Sequence, residues 1–202
     1  MGKALIFDCE FLTAPGSPSR FWCGPYDPDP VVAQIGVTKL GLTDPFPILD
    51  SMRIYVVPKD RNGNRIPLDP FFTKLTGITE DNLDADGVSL LAALKSVEEF
   101  AEGAKLWSWG KDEFNMVAIS CYVEGVAPPL PASQFGNACD LLLKAGMPYE
   151  DLKTTRSNTL KDYYQIDHPD LRGHAALDDA LSVAYVLQHL LGQEALVAQD
   201  FS

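Results

Sequence analysis

Residues 3–9, KALIFDC, form an almost unbroken apolar run, and that run constrains the fold more than any other segment. A strand that is apolar on both faces belongs in the middle of a sheet covered on both sides, as in α/β domains. The remaining elements supply the cover. VVAQIGVTKLG (31–41) and FPILDSMRIYVVP (46–58) read as the second and third strands, with a turn from Gly41 to Pro47. LDPFFTKLTGIT reads as a short helix stopped by Gly77. SLLAALKSVEEFAEG follows as an amphipathic helix with Leu90, Leu91, Leu94, Val97 and Phe100 inside. AKLWSW is a fourth strand, on which Trp107 and Trp109 serve sheet packing, and DEFNMVAISCYVEG is the next helix. A short strand or turn precedes ACDLLLKAG, then NTLKDYYQ, then the long helix AALDDALSVAYVLQHLLG. Three strands followed by alternating helix and strand predict an α/β domain with a mixed sheet.

The first strand ends in a chemical problem. Asp8 and Glu10 are two residues apart, so they share one face, and Cys9 points the other way. Two buried carboxylates side by side repel, and burying either without a partner costs several kcal/mol or forces it to hold a proton. A bound cation removes both penalties. A strand end emerging into solvent removes them too.

Two more acidic clusters lie at the starts of helices. In RGHAALDDALSVAYVL, Leu177, Ala180, Leu181, Ala184 and Leu187 trace the expected buried stripe. Asp178 shares a polar row with Ser182, Tyr185 and His189, whereas Asp179 shares an apolar row with Val183, Val186 and Leu190. Asp179 is therefore read as pointing inward and Asp178 as solvated. His174 precedes Asp179 by five residues, a separation of about 140° on one helix, so it is placed in the RGH loop before the first turn. A histidine near carboxylates, titrating close to neutrality, suits a general base. His168, followed by proline, and His189 are read as surface groups. The third cluster, Asp112 and Glu113, opens the helix after Gly110, where an acid also suits the helix dipole.

Bulk properties set limits on these readings. The 202 residues suffice for one well-cored domain. Four cysteines at 9, 23, 121 and 139 form no CxxC pair, which suits free, packed thiols in a reducing cytoplasm. No run approaches the roughly 18 residues of a membrane span, and MGKALIF enters a strand directly, so no membrane role and no signal peptide are expected. The net charge of −12 argues against non-specific gripping of a long duplex, though not against action on chain ends.

Three acidic clusters and a histidine can hold two divalent cations about 4 Å apart, a pair that activates water and steadies a leaving oxygen at a phosphodiester. Oxygen ligands favour Mg²⁺ or Mn²⁺ over zinc. DCE at 8–10, WGKDE at 109–113 and HAALDDA at 174–180, with LTGIT at 75–79, resemble the motifs of the DEDDh 3′–5′ exonucleases, nearest the Eri1-like branch. The likeness runs from about residue 4 to 192. It implies a ribonuclease H-like, mixed five-stranded sheet flanked by helices. It also implies one exonuclease domain over 1–202 with its core at about 4–192, and residues 11–30 as a long loop near the site. By the resemblance Asp8, Glu10 and Asp179 hold the metals and His174 is the base. The second motif departs from the family: spacing from WG selects Glu113, residue type selects Asp112, and both stay open. Phe11 and Leu12 are expected against the terminal nucleotide, and Lys111 near a phosphate. Arg20, Phe21, Trp22 and Tyr26 are expected as a flexible lid.

The expected activity is metal-dependent hydrolysis of single-stranded RNA or DNA from its 3′ end to 5′-mononucleotides. Two alternatives keep the same fold. The shifted second motif and the charge fit a non-cleaving nucleic-acid-binding or scaffolding module. The acidic surface also fits an oligoribonuclease-like enzyme limited to very short substrates.

Overall fold

The computed structural model describes residues 2–167 and 169–202, so His168 lies outside the described residues. Strand β1 (Lys3–Phe11) sits at the centre of a five-stranded sheet ordered β3-β2-β1-β4-β5. Strands β2 (Val32–Gly41) and β3 (Ile48–Tyr55) extend it antiparallel on one side. Strands β4 (Leu106–Ser108) and β5 (Phe135–Asn137) extend it parallel on the other. The mixed sheet has the physical origin its sequence indicates: the loop 12–31 and the turn 42–47 join the antiparallel strands β1, β2 and β3 directly, while helices intervene between the parallel strands.

The alternation along β1 divides the core. Leu5, Phe7 and Cys9 enter one cluster with Leu90, Leu94 and Val97 of α3 (Leu90–Ala101) and Met116 and Val117 of α4 (Asp112–Glu124). Ala4 and Ile6 enter the other, built on α5 (Ala138–Lys144), α6 (Tyr149–Thr154), α7 (Ser157–Tyr163) and α8 (Ala176–Gly192). Helices α1 (Pro70–Thr76) and α2 (Glu80–Asp86) cover a third cluster at the end of the sheet, with Phe72, Ile78 and Leu83 against Leu12 and Val31. Helices α2 and α6 have no clear apolar stripe in the sequence. The first is set by a reciprocal Thr79–Asn82 cap.

Helix α8 reaches the sheet unusually closely. Across β1 and β2, Asp8 pairs with Gly36 and Glu10 with Gln34, so these four residues face α8 together. A Cβ on Gly36 would lie 2.1 Å from the Leu177 nitrogen and 2.2 Å from the Ala176 carbonyl carbon. The buried Gln34 carboxamide oxygen accepts the Ala176 N–H at 3.0 Å. Glycine is thus what lets the start of α8 rest beside the acids. We expect Gly36→Ala to cost about 3 kcal/mol, read by chemical denaturation, and to weaken cation binding; unchanged stability would contradict this close approach.

Several sequence expectations need correction. The stripe of α8 is rotated: Ala180, Val183, Val186, Leu187 and Leu190 are buried, while Leu177 and Leu181 are only partly so. Asp178 is partly exposed, and one of its carboxylate oxygens also accepts the Arg172 backbone N–H at 2.8 Å, which ties down the RGH loop. His189 is half-buried, its ring 6.4 Å from that of Tyr164. The core runs past residue 192, with Leu196 and Phe201 buried and the Phe201 ring edge-on to Trp107 at 5.7 Å. Cys23 is exposed rather than packed. Among the described residues, no helix is long and apolar enough to cross a membrane.

Candidate active site

Three segments remote in sequence deliver four buried carboxylates to one cleft of about 390 Å³. Asp8 and Glu10 come from the end of β1, Glu113 from the first turn of α4 and Asp179 from the first turn of α8. Their exposures are 8%, 8%, 7% and 5%, which excludes the reading of β1 as a strand emerging into solvent. Phe11, Arg156, Ser157, Asn158 and His174 also line the cleft.

Position separates the two acids of the second motif. Asp112 and Glu113 are neighbours on α4, and only Glu113 turns into the cleft, on the side of the buried Val117 and Cys121; Asp112 is exposed. Residue type had favoured Asp112, but the start of α4 rotates it into solvent. The neighbouring Ser108 and Asp8 side chains favour the ionised form of Glu113 against the effect of burial. Its second oxygen, Oε2, is buried and has no hydrogen-bond partner among the described residues.

His174 stands before α8 with φ of 59°, a left-handed conformation that costs a non-glycine residue about 1 kcal/mol or more. Its own N–H holds it there by donating to Asp179 Oδ2 at 3.0 Å. The side chain stays exposed at the cleft. The loop before it is braced from the opposite side. Gly77 ends α1 with φ of 77°, and a Cβ there would fall 2.2 Å from Arg172 Nη1. The LTGIT segment is therefore the seat on which the RGH loop rests.

Crowding sets the electrostatics. Burial, then the Glu113, Glu10 and Asp179 carboxylates, pushes Asp8 well above the usual carboxylate range. Burial first, then Asp179 and Glu113, pushes Glu10 up to about 8 against an opposing pull from Arg172. Burial raises Glu113 to about 7, opposed by its backbone hydrogen bond. Burial raises Asp179 to about 6, opposed by the His174 N–H. Four acids that resist ionising in one cleft leave a charge deficit that a cation would relieve.

The donor set fits a divalent cation. One donor atom each from Glu10, His174 and Asp179 lies within 4.8 Å of the others. Glu113 Oε2 adds a buried oxygen that has no hydrogen-bond partner among the described residues. Carboxylate oxygens predominate, the chemistry of a hard cation such as Mg²⁺ or Mn²⁺.

Of the three residues expected to contact substrate, Phe11 lies where expected and two do not. Phe11 lines the cleft, just past a β-bulge between Glu10 and Phe11. Leu12 does not, because its side chain is buried at 2% exposure in the cluster beneath α1. Lys111 is exposed and borders a neighbouring depression formed with Gly110, Phe114 and Asn137, since the N-terminus of α4 points it away. The loop after β1 is pinned rather than a free lid. Asp27 accepts hydrogen bonds from Ser17 Oγ at 2.9 Å, Gly24 N at 2.8 Å and Arg20 Nη2 at 2.5 Å. Trp22 turns inward, edge-on to Phe11 at 5.5 Å, with Nε1 donating to the Leu12 carbonyl. Phe21 and Tyr26 remain exposed.

Sequence reasoning missed Gln34, Gly36 and the Arg156–Asn158 edge. Gln34 did leave a signal, a lone carboxamide inside the apolar run VVAQIGV. Arg156 left none, because nothing in RSNTLKDYY marks proximity to the acids.

No protein-family model matches the chain. A PolC-type DNA polymerase III of Caldanaerobacter subterraneus subsp. tengcongensis is 28% identical over 144 residues, which are 71% of this chain and 9% of that protein. A 3′-exonuclease solved for 3′-end-specific recognition of a histone mRNA stem-loop superposes with a TM-score of 0.75 at 21% identity, covering 95% of this chain and 64% of that one. Cell-death related nuclease 4 superposes with a TM-score of 0.69 at 18% identity, covering 96% and 64%. The chain thus spans less than two thirds of these structures and a small part of the polymerase. The fold is the ribonuclease H-like fold, a mixed five-stranded sheet flanked by helices, as in these nucleases.

Proposed function

We propose that this protein is a metal-dependent 3′–5′ exonuclease that hydrolyses single-stranded RNA or DNA to 5′-mononucleotides. The observation that carries the reading is the convergence of Asp8, Glu10, Glu113 and Asp179 on one cleft beside His174, in a fold shared with 3′-exonucleases. Glu113 completes the acidic set despite the shifted motif, which removes one motive for a non-cleaving module.

In this reading Glu10, Asp179, Asp8 and Glu113 hold two divalent cations. Bound there, such ions neutralise the phosphodiester, acidify water and steady the departing 3′ oxygen. The protein's own groups do the rest. His174, exposed at the cleft and anchored through its backbone to Asp179, accepts the proton of the attacking water. Phe11 meets the terminal nucleotide, held from behind by Trp22. The depth of the acids behind the cleft mouth suits a free chain end rather than a duplex interior.

The test is digestion of oligonucleotides labelled at either end, as RNA and DNA, single and double stranded, with Mg²⁺, Mn²⁺ or EDTA. Immediate release of a mononucleotide from the 3′ label, absent in EDTA and in His174→Ala, is the expected result. Release first from the 5′ end, or endonucleolytic fragments, would overturn the assignment.

A further inference from the structure

The geometry points to Arg156 as a binding residue for the phosphate one step 5′ of the scissile bond. The inference rests on the exonuclease reading and adds a substrate contact that involves no metal. The sequence has 28 acidic residues against 16 Lys and Arg, so a cation that faces the acids without being consumed by an ion pair is available to a phosphate. Arg20 is engaged by Asp27, and Arg65 by Glu80 and Asp84. Arg156 has no carboxylate partner among the described residues, yet of the arginines and lysines described it is the one that lines the acidic cleft, while Arg172 and Lys161 act on Glu10 and Asp179 from outside that lining.

Its guanidinium is half used. Nη1 donates to the Thr155 carbonyl at 2.7 Å and to the Lys153 carbonyl at 3.1 Å, closing the last turn of α6. Among the described residues, no acceptor holds Nε or Nη2. That edge is the one that grips two oxygens of a phosphate at once. The backbone beneath is fixed from both sides. Ser182 Oγ of α8 donates to the Ser157 carbonyl at 2.6 Å, and the Thr155 hydroxyl donates to the Asp151 carbonyl at 2.8 Å. A guanidinium held in place by one edge loses little freedom when the other binds.

Position selects the phosphate. Arg156 is exposed at the mouth of the cleft, whereas the acids lie deep within it. The scissile group belongs with the acids and their cations. The next phosphate toward the 5′ side leaves through the mouth and meets Arg156.

The experiment compares a dinucleotide with a 5′-hydroxyl, which has only the scissile phosphate, with a ten-nucleotide substrate. We expect Arg156→Gln to raise KM for the longer substrate by about 10- to 100-fold, with kcat nearly unchanged. The dinucleotide loses far less, and Arg156→Lys recovers part of the effect. The slope of log binding against log salt becomes shallower by about 0.7. A methylphosphonate at the phosphate preceding the scissile one makes the same comparison in the unaltered protein, whatever the variant does to folding. It lowers affinity for the wild type by a similar factor. Equal losses on both substrates, or a wild type indifferent to the methylphosphonate, would overturn the assignment of Arg156 and leave the exonuclease reading standing. A wild type that neither binds nor cleaves either substrate overturns both.

Discussion

Asp8→Asn is expected to lower release of a 3′-terminal label by at least about 10³-fold while raising the thermal stability of the metal-free protein. Both effects have one cause. Asp8 is buried among three other carboxylates, and burial holds its proton affinity far above normal. A neutral amide of the same shape removes a charge the fold tolerates poorly, and removes a ligand that the cations require. Glu113→Gln should act in the same direction, since its Oε2 is buried without a partner among the described residues. Asp112→Asn, on the exposed side of the same helix turn, should stay within about twofold of wild type in both measurements, as surface changes usually do. If Asp112→Asn were inactive and Glu113→Gln active, the assignment of the second motif would be reversed.

The second large effect is a pH dependence opposite to that of an ordinary carboxylate. Salt-bridged acids have lowered values and lose their stabilising effect as pH falls. Here the folded values are raised, to about 6 for Asp179, about 7 for Glu113 and about 8 for Glu10. The unfolded chain releases these protons near pH 4. The folded state is therefore favoured most below that value and loses this advantage as pH climbs through the folded values. In EDTA the melting temperature should fall between pH 5.5 and pH 8, by on the order of 5–10 °C. Mn²⁺ should restore it, and by more at pH 8, where cations no longer compete with protons for the carboxylates. A melting temperature in EDTA that is flat or rising over this window would count against a shared acidic cleft.

What the sequence made legible depended on period. The apolar run of β1 placed it centrally, and the two-residue repeat placed Asp8 and Glu10 on one face, because strand geometry leaves no alternative. The helical row of Asp179 separates it from Asp178 even though the buried stripe of α8 lies a little off the axis that the sequence indicates. Short elements with no repeat, α2 and α6, escaped notice. Asp112 against Glu113 could not be decided from period, since adjacent helical residues differ by about 100° and the entry angle of α4 fixes which one turns inward. The Arg156 edge and the Gly36 contact are products of tertiary packing: α7 is laid beside α8, and α8 is laid on β2. Loop 12–31 showed its aromatics in the sequence, but not that Asp27 gathers the loop into a fixed turn.

Anomalous diffraction from a crystal soaked in Mn²⁺ tests the central claim most directly. Density within about 2.2 Å of carboxylate oxygens from Glu10 and Asp179, with a further site reached by Asp8 or Glu113, is the result this account predicts. A clear map at saturating Mn²⁺ with no peak among these four side chains would contradict it.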